Sequence, residues 1–130
     1  MLHIDKLSRQ PLYEQIIRAV EDQVLTGILK EGEQLYSVRE LSGELAINPN
    51  TIQKAYLDLD RRGIVASSPG IGSFVAPGAL RKLRGDMRVK LYELDEIAVK
   101  LAVAEVDEET AVETVRQAYR KINLKRGSST

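Results

Sequence analysis

A chain of 130 residues has room for one modest domain, or for a small domain with an appendage. Its 43% apolar and 29% charged residues are the make-up of a folded protein, not a disordered one. The absence of cysteine excludes disulfides, thiolate metal sites and cysteine nucleophiles. A net charge of zero gives no compositional sign of nucleic-acid binding: residues 1–76 carry eight basic against ten acidic side chains, and residues 77–130 carry eleven against nine. Affinity for phosphate must therefore come from where charges sit, at Arg39, Lys54, Arg61, Arg62 or the run Arg81, Lys82, Arg84, Arg88, Lys90.

Nothing before Pro11 has the basic-then-apolar pattern of a leader, and no apolar run approaches the ~18 residues of a membrane span, so a cytoplasmic protein is expected. Pro11 suits the first position of a helix, where its missing N–H has no partner to lose. From there Leu12, Ile16, Val20 and Val24 recur at four-residue steps, with Ile17 widening the stripe, and Gly27 ends the helix. A turn-rich segment, Lys30–Glu33, leads to Leu35. Ser37-Val38-Arg39-Glu40 is a capping-box pattern that starts a second helix, with Val38, Leu41 and Leu45 facing inward. Gly43 inside it costs about 1 kcal/mol relative to alanine, so this helix depends on tertiary packing.

The second helix is short, because Asn48-Pro49 is an N-cap followed by a first-position proline. The chain turns at Ala46-Ile47, and a third helix begins with a buried stripe of Ile52, Ala55, Tyr56 and Leu59, closed by Gly63. Two short helices joined by such a turn form a helix-turn-helix. Ile64-Val65 and Ser73-Phe74-Val75 then read as two short strands around the glycine-rich Ser67–Gly72 hairpin, and Pro77-Gly78 punctuates its end. A domain boundary is expected there, dividing residues 1–76 from 77–130. Beyond it, Met87, Leu91, Leu94, Ala98 and Leu101 follow alternating four- and three-residue steps, and Leu80 and Leu83 extend the seam backwards. One helix over 79–104 would be about 39 Å long, more than a small wing can cover. Asp107 caps a last helix carrying Val112, Val115, Tyr119 and Ile122, and a basic tail from Lys125 is expected to fray. The fold class is thus mainly α with a small β-hairpin wing: an N-terminal winged helix-turn-helix and a C-terminal helical segment.

An α-helix fits the major groove, and the first turn of the second helix of such a motif meets bases and phosphates. Here that turn is Asn48-Pro49-Asn50-Thr51, followed by Gln53 and Lys54. Asn and Gln can pair with adenine, Thr can touch a thymine methyl, and Ser37 and Arg39 open the preceding helix near phosphates. The same residues also serve as plain helix caps, and Gly70-Ile71-Gly72 as a plain tight turn. His3 reads as solvated. The acidic groups around Glu93 and Glu105–Glu109 read as a helix face and a helix start, so no metal, cofactor or catalytic constellation is expected.

Taken together, Pro11–Ile16, Gly27 to Gly32, Ser37–Leu41, Asn48–Tyr56, Gly63-Ile64 and Gly70–Val75 strongly resemble the GntR family of bacterial transcription regulators over roughly residues 10–76. The resemblance implies a DNA-binding winged helix-turn-helix and a C-terminal domain that dimerises and often senses a small effector. Residues 77–130 are too few for the large effector domains and resemble the YtrA-type subgroup, whose members are often associated with ABC-transporter operons. By the same resemblance Ser37, Arg39, Asn48, Asn50, Thr51, Gln53 and Lys54 lie at or near DNA, with Gly70 and Gly72 at the wing tip. The stripe of Met87, Leu91, Leu94, Ala98 and Leu101 could be covered by the last helix or by the first domain; the expectation is that one face packs on the last helix and the remainder forms the dimer seam. Three positions depart from the family: Tyr36 stands where proline is usual, Gly43 is unusual, and Pro69 replaces a basic or polar wing residue. The expected protein is a homodimeric repressor binding an inverted-repeat operator, with a small-molecule effector left open. The other reading is a winged-helix module for protein or RNA contact.

Overall fold

The computed structural model describes residues 2–128, with side chains described as far as Leu124. Its elements are α1 (Leu12–Leu25), α2 (Val38–Leu45), α3 (Pro49–Arg61), β1 (Val65–Ser68), β2 (Gly72–Val75), α4 (Ala79–Arg88), α5 (Lys90–Val103) and α6 (Glu108–Ser128). They fall into two compact units, the first ending at Met87 and the second starting at Arg88. The first unit therefore extends beyond the expected boundary at residue 76. Ala79 and Leu83 of α4 are fully buried in its core and hold that helix in it.

Local chemistry sets the helix ends. Pro11 is the N-cap of α1, one position earlier in role than expected, and the helix begins at Leu12. At α2 both halves of the capping box form: the Glu40 N–H donates to Ser37 Oγ at 3.0 Å, and the Ser37 N–H donates to Glu40 Oε1 at 3.2 Å. Ala46, left-handed at φ 53° and ψ 48°, stops α2 and turns the chain. Asn48 then caps α3 by accepting from the Asn50 N–H at 2.9 Å, with Pro49 in the first turn.

α1 and α3 pack most extensively, and α2 lies on α3. Ile16, Val20, Leu41, Ile52, Leu59, Ile64, Val65, Val75 and Leu83 are fully enclosed, each side chain contributing roughly 1.5–3 kcal/mol by burial. Phe74 is only half-buried; the strand alternation gives the inward place to Val75.

β1 and β2 pair antiparallel with Val65 opposite Val75 and Ser68 opposite Gly72. The Ile71 N–H donates to the Ser68 carbonyl at 3.0 Å, and Gly70 sits at φ 76°. Pro69 and Gly70 thus fill the two central positions of a type II turn, of which the second requires positive φ. The segment expected as a turn leading to Leu35 also pairs with the far edge of β2. Gly32 N donates to Val75 O, Val75 N to Glu33 O, and Leu35 N to Ser73 O, each at 2.8 Å.

The helix expected to run unbroken over 79–104 is interrupted for one residue at Val89, which keeps helical angles of φ −61° and ψ −27°. In the second unit, α5 ends in a Schellman motif: Val106 N donates to Leu101 O at 2.9 Å and Glu105 N to Ala102 O at 3.0 Å. Glu105 takes the left-handed position at φ 60° that glycine usually fills. Asp107 Oδ2 then accepts from the Thr110 N–H at 3.1 Å and caps α6. No residue of α5 is buried; Leu101, Ala111, Val112 and Val115 are half-buried, and Tyr119 and Ile122 are exposed. The segment from Lys125, expected to fray, is helical through Ser128; residues 129 and 130 lie outside the described residues. Among the described residues, no helix is long and apolar enough to cross a membrane.

Candidate nucleic-acid interface

The first turns of α2 and α3 carry most of the candidate contacts, and their capping bonds decide which atoms stay free. Ser37 Oγ and Asn48 Oδ1 each accept one backbone N–H, which fixes the two side chains while leaving the Ser37 hydroxyl proton and the Asn48 amide N–H groups to donate to a ligand. Arg39, Asn50 and Gln53 are exposed, and their side chains make no hydrogen bond to other described residues. Thr51 is half-buried beside them. Asn50, Gln53, Lys54, Leu57 and Arg61 share the outward side of α3, where they line an open groove with Tyr13 of α1 and with Asp58.

Two of the basic residues are already engaged. Arg62 donates to Glu21 at 3.2 Å, Asp58 at 3.4 Å and Asp86 at 3.5 Å, joining α1, α3 and α4. Burial works against its charge, but the hydrogen bond and charge of Glu21, with the hydrogen bonds of Asp58 and Asp86, outweigh it and raise its pKa. The residue is still exposed, but its guanidinium is tied to three carboxylates of its own unit. Lys54 lies with Nζ 3.9 Å from the centroid of the Tyr13 ring.

Tyr56 holds the entry to α2. Its hydroxyl donates to the Tyr36 carbonyl at 2.6 Å, and burial, followed by the Glu40 charge, pushes its pKa well up. The segment that lacks the usual proline at Tyr36 is therefore fixed from α3. Gln34 does the same for the wing: its Nε2 donates to the Ile71 carbonyl at 3.1 Å, and a Cβ on Gly72 (φ 137°) would collide with that amide. Gly70 is surrounded by open space, and Ile71 between the two glycines is 67% exposed. From Gly63 through Leu80 the chain has no charged residue. The wing therefore offers hydroxyls, backbone groups and the apolar side chains of Pro69 and Ile71.

Of the expected dimer positions, Met87 belongs to the first unit and is partly exposed. Leu91, Leu94 and Ala98 are exposed on α5, and Leu101 is half-buried against the start of α6. Sequence reasoning named Arg61 only as one possible phosphate charge, and it missed Tyr13, Gln34 and Tyr56 as members of the site. Arg61 stands seven residues after Lys54 and eleven after Asn50, a helical spacing that places it on their face; the other three act through tertiary contacts that no local pattern announces.

Comparison with known proteins adds the following. The model of bacterial regulatory proteins of the gntR family matches residues 12–75. The chain is similar to the transcriptional repressor YtrA of Bacillus subtilis, at 36% identity over 118 residues covering 90% of this chain and 91% of that protein. It is also similar to two solved structures. One is a GntR family transcriptional regulator from Listeria monocytogenes, with TM-score 0.72, 28% identity, and 88% and 98% of the two chains covered. The other is a transcriptional antiterminator from Listeria monocytogenes EGD-e, with TM-score 0.70, 32% identity, and 92% and 90% covered.

Proposed function

This chain belongs to the GntR family of bacterial regulatory proteins, and from that premise we propose that it acts in the cytoplasm as a homodimeric repressor of transcription, bound to an inverted-repeat operator. It is a transcription regulator with a DNA-binding helix-turn-helix, and not an enzyme. The observation that carries the proposal is the outward side of α3. Asn50 and Gln53 stand there with free amides, beside Lys54 and Arg61, on a helix that Tyr56 and the Arg62 ion pairs fix to the rest of the unit. Ser37, Arg39 and Asn48 flank it, and the wing tip at Gly70 and Gly72 lies beyond. Residues 1–76 supply the DNA contacts and α4 completes their core; residues from Arg88 onward supply the dimer contacts through Leu91, Leu94, Ala98 and Leu101. The likeness to the repressor YtrA over nearly the full length supports the repressing role.

Selection of bound sequences from a random duplex pool tests this reading. A two-fold dimer should recover an inverted repeat with half-site centres about 10 bp apart, one helical turn. A single asymmetric half-site bound by one chain would defeat the dimer. Tighter binding to RNA of the selected sequence would favour the alternative, a module for RNA or protein contact.

A second test separates reading from anchoring. Asn50→Ala should relax the preference at one base pair by ~1–3 kcal/mol, if its amide pairs with adenine. Lys54→Ala should weaken all sequences alike and flatten the dependence on salt. Identical profiles for the two variants across a panel of sites would place the recognition surface elsewhere.

A further inference from the structure

Lys54 is the one outward cation of α3 whose surroundings are built, and they are unusual in what they leave out. The nearest acidic residue one turn along the helix is Asp58, at the i,i+4 position where an ion pair would ordinarily form. Asp58 Oδ1 is already taken by Arg62, which also gathers Glu21 and Asp86. Lys54 instead lies over the face of Tyr13, with Nζ 3.9 Å from the ring centroid. Tyr13 is half-buried at the start of α1, and its hydroxyl is turned to Glu14 Oε1 at 3.3 Å.

A carboxylate and an aromatic ring both hold an ammonium in place, but with different electrical results. The carboxylate cancels the charge, whereas the ring is neutral and leaves it whole. A cation meant for phosphate gains from the second arrangement, since it keeps its full field while losing rotational freedom in advance.

We propose that Tyr13 is a positioning residue for DNA binding: its ring fixes Lys54 beside Asn50 and Gln53 without a carboxylate bonded to its ammonium, Asp58 being paired with Arg62. The proposal rests on the DNA-binding role of α3 given above.

The test compares Tyr13→Leu, Tyr13→Phe and Lys54→Met in the full chain, reading duplex-DNA affinity at several salt concentrations. The NMR shift of the Lys54 side-chain methylenes serves as a readout that needs no DNA. Tyr13→Leu should bind about two- to fivefold more weakly, with a flatter salt slope and with loss of the ring-current shift. Tyr13→Phe should restore all three. In the Lys54→Met background, Tyr13→Leu should change nothing further. If Phe binds as poorly as Leu, or if Leu still weakens binding without Lys54, Tyr13 acts by another route and the proposal fails. Ring-current shifts as described, in a protein that binds no duplex DNA, would defeat the DNA-binding reading. Wild-type affinity and slope in Tyr13→Leu would defeat this proposal alone.

Discussion

Leu94→Glu should convert the protein to monomers and weaken operator binding by about a hundredfold or more. In a single chain Leu94 is 43% exposed, no residue of α5 is buried, and Leu91 and Ile97 beside it are more than half exposed. About half of each such side chain is still uncovered, which represents roughly 1 kcal/mol of unrealised burial apiece, and within α5 only Leu101 is half-buried. In the proposed dimer a second copy covers this surface, and a carboxylate in the middle of it would have to be buried without a partner. Binding should fall steeply because the two half-sites would no longer be linked, and linkage is worth ~10²–10⁴ in avidity. The first unit should remain folded, since its core includes no residue of α5. Sedimentation and gel-shift titration on the same preparation decide the matter. A variant that stays dimeric and binds normally would place the dimer contacts elsewhere.

Leu83→Ala should do the opposite, unfolding the first unit more easily while leaving the subunit equilibrium alone. Leu83 has no exposed surface, and with Ala79 it closes the core formed by α1, α3 and the wing. Truncating a fully enclosed leucine costs ~2–5 kcal/mol, the loss of buried surface plus the cavity left behind. Urea unfolding followed by circular dichroism should show the lower midpoint. Sedimentation of the folded variant should still give dimers. Dissociation without loss of stability would mean that α4 serves the interface, not the core.

These two leucines lie on what reads as one stripe, and they show where sequence reasoning stops. The spacing Leu80, Leu83, Met87, Leu91, Leu94 is continuous, so periodicity predicts one helix with one seam. Periodicity reports that a side chain is to be covered, but not by what. The helix-turn-helix was legible because its signals are local: the Ser37–Glu40 box and the Asn48-Pro49 cap each decide a helix start within four residues, and both form as the pattern requires. The third strand-like segment at Gly32–Leu35 was not legible, because its partner β2 is some forty residues away and its own four residues show no β-branched or aromatic side chain. Arg62 misled for a related reason. Beside Arg61 it reads as one of two phosphate-facing cations, yet two of the acids that engage it, Glu21 and Asp86, lie far off in the sequence. At the site, the candidate bases of recognition were named by residue type, while the groups that hold them still were found only in the folded chain.

The uncharged stretch from Gly63 through Leu80 bears on kinetics. Electrostatic steering acts at a distance and sets how fast a protein reaches DNA. A wing without charge adds nothing to that field and exerts no drag on phosphates as the protein slides. Its hydroxyls, backbone groups and Ile71 act only at contact distance. On the proposed reading, whatever grip the wing supplies would lengthen the residence time at the operator, leaving the arrival rate to charged residues such as Arg39, Lys54 and Arg61.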